Sequence, residues 1–167
     1  MYPARLVGSM APPDFHRIAV AVDGSEHANA ALDIAIDLAT RYSSELEILA
    51  VAPLQPVMMA PSEPFMATGI PPSDLPRYQQ IVEAAVKRAE SHGLKAVTGV
   101  CTDGVVVDEL LAQLEEHPAD LLVIGSRGLS AGKRLLLGSV SDAMVNHAPC
   151  PVLVVRPPKN NPTKPAA

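Results

Sequence analysis

Tryptophan is absent from this chain, and its 167 residues hold only two phenylalanines and three tyrosines. The core must therefore be aliphatic, and with 48% apolar residues there is enough Val, Ile, Leu and Ala to build one domain. Basic residues are also few. Thirteen Lys and Arg against eighteen Asp and Glu leave a net charge of −5, which argues against a general nucleic-acid binder, since that needs a basic face. The two cysteines, Cys101 and Cys150, lie far apart and form neither a metal-type pair nor a disulfide framework; each reads as a small hydrophobe. No apolar run approaches the ~18 residues that span a membrane. The opening MYPARLVGSMAPPDF lacks a signal peptide's continuous apolar core, so a cytoplasmic setting without a membrane partner is expected.

Two kinds of chemistry are missing as well. The five histidines (His16, His27, His92, His117, His147) show no metal-ligand spacing, and no Gly-x-Ser-x-Gly elbow supports a hydrolase triad. Asp142 could reach a phosphate-bound Mg²⁺, but a carboxylate at a helix start has the simpler role of meeting the helix dipole.

What is present is an alternation of strands and helices. Arg17 to Val22 is apolar and β-branched, and ends at Asp23-Gly24-Ser25, where Ser25 can cap a helix over 26–42. Glu45 to Ala52 reads as a second strand. Residues 53–76, with seven prolines and Met58, Met59 and Met66, form a long loop without period. A second helix begins at Ser73 or Asp74, buries Tyr78, Ile81, Val82, Ala85 and Ala89, and ends at Gly93. Leu94 to Cys101 is expected as a third strand weakened by Gly99. A third helix carries Val106, Val107, Leu110, Leu111 and Leu114 inward, and Pro118 stops it. Residues 1–15 read as a flexible leader and 157–167 as a disordered tail.

The stretch Leu121 to Val155 organises the rest. Leu121 to Ile124 is a short apolar run ended by Gly125, as in a parallel strand covered on both faces, and Pro151 to Val155 is another. Between them, Gly125-x2-Gly128 is followed by nine residues and Gly138-Ser139. Gly125 and Gly128 would let backbone approach a ligand without an intervening Cβ. Ser139 suits the N-cap of a helix whose first N–H groups, with the dipole, attract an anion. Arg127, Lys133 and Arg134 add positive charge, and together these features favour phosphate. A P-loop does not fit, because counting back from Gly132-Lys133 puts Arg127 where its first glycine belongs. A dinucleotide fingerprint fails too, since it should follow the first strand. Taken plainly, the segment would be a surface loop with incidental glycines.

At these residues the chain resembles the ATP-binding branch of the universal stress protein family. Gly125-x2-Gly128-x9-Gly138-Ser139 matches its nucleotide signature. Asp120-Leu-Leu-Val-Ile-Gly, Ala148-Pro-Cys-Pro-Val-Leu-Val-Val-Arg156 and Ile18-Ala-Val-Ala-Val-Asp-Gly-Ser25 are similar to it as well. The resemblance spans residues 16–156. It implies a single three-layer α/β domain of the adenine nucleotide alpha hydrolase-like kind: a five-stranded parallel sheet in the order 3-2-1-4-5, with helices on both faces. It also implies ATP, or ADP or AMP, bound with Mg²⁺ but without rapid turnover. Asp23 would hold the ribose, with Ala21 beside it, and the backbone at Val51 the adenine edge. The backbone of Gly125, Arg127, Gly128, Gly138, Ser139 and Val140 would hold phosphates, helped by the Ser139 and Ser141 hydroxyls. No residue is assigned as catalytic or as a metal ligand. A homodimer through the last strand, Val152 to Val155, and a further protein partner complete the expectation, with a nucleotide-responsive stress or regulatory role. The alternatives are a slow ATPase or nucleotidyl-transfer enzyme, and a dimeric interaction scaffold that binds no nucleotide.

Overall fold

Ile18, Ala19 and Val20 have no solvent-exposed surface at all, which places the first strand at the centre of a sheet covered on both sides. The computed structural model describes residues 14–54, 74–129 and 137–157. Within them, strands and helices alternate: β1 (Arg17–Ala21), α1 (Glu26–Tyr42), β2 (Glu45–Pro53), α2 (Leu75–Ser91), β3 (Val97–Gly104), α3 (Val106–Glu116), β4 (Leu121–Gly125), α4 (Ser139–His147) and β5 (Val152–Val155). The strands form one parallel sheet in the order β3-β2-β1-β4-β5, as expected. Most of the leader, residues 55–73 of the long loop, the cations Lys133 and Arg134, and the tail from residue 158 lie outside the described residues.

Side-chain alternation along the strands divides the core in two. Ile18, Val20, Leu46, Ile48 and Val123 point to one face and pack with Ala31, Leu32, Ala35 and Ala39 of α1 and Tyr78, Val82, Ala85 and Ala89 of α2. Ala19, Leu49, Val51, Leu122 and Ile124 point to the other and meet Leu110, Leu114 and Met144 of α3 and α4. Burying each Leu, Ile or Val contributes about 1.5–3 kcal/mol, so an aliphatic core suffices without large aromatic rings. The cysteines fall on opposite faces, Cys101 against the first cluster and Cys150 against the second. Burial raises both thiols above their ordinary range, which keeps them protonated and unreactive. Among the described residues, no helix is long and apolar enough to cross a membrane.

Most element boundaries follow the sequence pattern; β3 does not. The strand expected over Leu94 to Cys101 runs three residues later. Gly93, at φ 90°, and the bond from Leu94 N–H to Ala89 O form a turn that delays the strand, and Leu94 itself packs into the core beside α2. Pairing then continues to Pro53 opposite Gly104. Gly99, the glycine expected to weaken this strand, is where Val82 and Val86 of α2 press closest to the sheet.

Candidate functional site

Parallel strands carry all their carboxyl ends to one edge. Where the winding reverses, between β1 and β4, no helix fills the gap above them. Here the ends of β1, β2 and β4 and the start of α4 surround a cleft of about 310 Å³, at the small end of the range for small-molecule sites. All ten residues expected at the site line it: Ala21, Asp23, Val51, Gly125, Arg127, Gly128, Gly138, Ser139, Val140 and Ser141. Leu49, Val51, Val106 and Leu110 make one end apolar, while Asp23 and the α4 N-terminus make the other polar.

Asp23 follows β1 and is half-buried. Its Oδ1 accepts from Ser25 N–H at 2.9 Å and its Oδ2 from Leu129 N–H at 2.9 Å, so it ties the start of α1 to the glycine loop. Ser25 caps α1 as expected, accepting from Ala28 N–H at 3.2 Å. Each carboxylate oxygen keeps a lone pair for a donor arriving from the cleft.

The two loop glycines serve a different purpose from the one expected. Neither has positive φ, and the space a Cβ would need is filled by protein rather than left for a ligand. At Gly125 a Cβ would lie 2.7 Å from the His27 carbonyl carbon and 2.9 Å from Ala28 N, so this glycine lets the start of α1 rest directly on the end of β4. At Gly128 it would lie 2.7 Å from Asp23 Oδ2.

Ser126, 1% exposed, joins four elements. Its N–H donates to Val155 O at 2.7 Å, its carbonyl accepts from Gly138 N–H at 2.8 Å, and its hydroxyl pairs with His27 Nδ1 at 2.9 Å. These bonds fix the N-terminus of α4 relative to the sheet. Gly138, not Ser139, is the N-cap, with extended φ −77° and ψ 158°. Ser139 is already helical, no side chain caps this end, and the buried Ser141 hydroxyl lies within donating reach of the carbonyls of Gly138 (2.9 Å) and Ser126 (3.1 Å). The Ser141 proton is thus engaged within the protein. The first bond of the helix runs from Asp142 N–H to Gly138 O, which leaves the N–H groups of Ser139, Val140 and Ser141 without helical partners at the cleft. Three aligned donors at the positive end of a helix form an anion site.

Tyr78, Pro53, Val106, Leu110 and Leu129 also line the cleft and were not anticipated there. Tyr78 is 5% exposed and sits in the helical stripe that the sequence assigns to the core, so periodicity alone could not separate the two roles. Burial, and secondarily the Asp23 charge, push its phenol up, so it stays a hydrogen-bond donor at neutral pH.

A fold with this sheet order and this cleft has known counterparts. The universal stress protein YxiE of Bacillus subtilis is 33% identical over 150 residues, covering 85% of this chain and 99% of that protein. The structure of universal stress protein UspA from Lactobacillus plantarum superposes with a TM-score of 0.67 at 23% identity, over 87% of this chain and all of the other. A universal stress protein in complex with cAMP superposes at 0.64 with 26% identity, over 86% and 99%. The sequence profile named Universal stress protein family matches residues 14–156, and the chain belongs to that family.

Proposed function

We propose that the cleft binds an adenine nucleotide, ATP or its di- or monophosphate, and that occupancy makes the protein a nucleotide-responsive stress or regulatory module. The observation that carries this reading is the trio of N–H donors at Ser139, Val140 and Ser141 that have no partner within the helix, in the same cleft as an apolar slot and a carboxylate. The base would lie against Leu49, Val51 and Leu110, with the backbone at Val51 facing its edge. Asp23, beside Ala21, would accept from the ribose. Gly125, Arg127, Gly128, Gly138 and the α4 donors would surround the phosphates. That a universal stress protein of this fold was solved in complex with cAMP supports an adenine nucleotide as the ligand. Among the described residues, no cluster of three or more His, Cys, Asp or Glu could hold a metal. Mg²⁺ would therefore be carried mainly by the triphosphate's own oxygens. Among the described residues that line the cleft the carboxylate is Asp23 and no imidazole is present, so turnover would be slow.

The test is thermal melting with and without Mg-ATP, on the native chain and on Ser139→Pro. Proline at the first helical position removes one free donor and no helical bond, and the extended Gly138 is compatible with a following proline. At about 100 times its Kd, ATP stabilises the native chain by roughly 2.7 kcal/mol. The variant melts like the native chain when free but gains clearly less from ATP. Absence of any shift in the native chain at millimolar Mg-ATP overturns the reading.

A further inference from the structure

The opposite edge of the sheet holds a second cavity, of about 520 Å³. Its walls come from the first residues of the strands, Arg17, Glu45, Glu47 and Thr98, with Lys95 before β3 and His117 after α3. It therefore lies at the amino ends of the strands, a full strand length from the nucleotide cleft.

Glu47 sets the chemistry of this cavity. It points to the same face of β2 as Leu49 and Val51, where an aliphatic residue would continue the core. It is 8% exposed, and its Oε2 is buried without a hydrogen-bond partner. Arg17 pairs with the neighbouring Glu45 at 3.2 Å and gives the Glu47 Oε2 no hydrogen bond. A buried carboxylate oxygen left without a donor costs about 1–3 kcal/mol or more, and none of the described residues supplies one. Lys95 stands exposed on the same rim and disfavours a simple cation there, so a donor that also carries an anionic group fits better.

We propose that this cavity binds a small zwitterion of the amino-acid kind, its ammonium or guanidinium group on Glu47 and its carboxylate toward Lys95 and His117. Such a ligand supplies the missing donor and meets the Lys95 ammonium with an anion, within reach of the His117 ring. The strand-end location keeps this site independent of nucleotide at the other edge.

The experiment is amide NMR titration of the full chain with L-arginine, agmatine and acetate, repeated on Glu47→Gln and Lys95→Ala. L-Arginine is expected to shift the Glu47 and Thr98 amides, with at least tenfold weaker binding to Glu47→Gln and clearly weaker binding to Lys95→Ala. Lys95 is exposed, so that variant keeps the test valid if Glu47→Gln fails to fold. No arginine-dependent shift at these amides overturns the proposal. So does agmatine, which lacks the carboxylate, binding as tightly as arginine. Mg-ATP titrated into the same sample reports on the other cleft, so failure of either site is read separately.

Discussion

The Asp23 carboxylate occupies the space beside Gly128 that a side chain there would take, with its Oδ2 2.7 Å from where the Cβ would stand. That oxygen also holds Leu129 N–H, so residue 128 must lack a side chain for the loop to close on Asp23. Gly128→Ala should displace a flexible carboxylate rather than backbone, and leave folding nearly intact. Nucleotide binding should fall about tenfold, about 1.4 kcal/mol, by calorimetry. Unchanged affinity would remove Asp23 from the ribose role.

Gly125→Ala should behave in the opposite way. The new methyl meets the backbone of His27 and Ala28, which cannot rotate aside, so α1 must move off β4. A loss of about 1–3 kcal/mol in urea unfolding is expected. Gly138→Ala, whose Cβ would find its nearest neighbour at 3.4 Å, should cost less, mainly by weakening the cap. Equal costs at the two positions would refute the close-approach account.

Burial pushes the Glu47 carboxyl up, with His117 and Arg17 pulling it partly back. The folded state then binds this proton more tightly than the unfolded chain, so stability is lost as pH rises through the carboxylate range. Glu47→Gln removes that titration. The variant should gain stability relative to the native chain between about pH 4 and pH 7. A stability difference that stays flat across urea melts in this range contradicts it.

Among the described residues, nothing pairs with the far edge of β5. Leu122 N–H and Ser126 N–H donate to Pro151 O and Val155 O, so the alternate residues Val152 and Val154 turn their own N–H and C=O groups to the free edge. Such an edge favours pairing with a second copy, and a homodimer through Val152 to Val155 is expected. Val154→Pro deletes one outward N–H without touching the bonds to β4. Light scattering should show a shift from dimer toward monomer. An unchanged mass excludes this edge as the interface.

Much of this was legible in the sequence, for identifiable reasons. A strand buried on both faces has no alternation to hide behind, so Ile18 to Val20 and Leu121 to Ile124 announced themselves, and the loop glycines announced the edge at which the cleft lies. What could not be read were distances between segments remote in sequence. Nothing in Gly125 says that His27 will lie against it, and nothing in Ser141 says that its hydroxyl will turn back to the carbonyls of Gly138 and Ser126. Tyr78 was visible only as part of an apolar stripe. Glu47 was harder still, since a lone glutamate in a strand sequence looks like any solvent-facing one until its neighbours are in place.

The Asp120 carboxylate receives the N–H groups of His16 and Arg17, partners 104 and 103 residues away along the chain. Together with the β1–β4 ladder, this contact closes a loop of more than a hundred residues, and such closures are slow. The cleft spans that seam. A ligand can therefore recognise the chain only after its two ends have met, and should act on the lifetime of the folded protein by slowing unfolding, with little effect on the rate at which it forms.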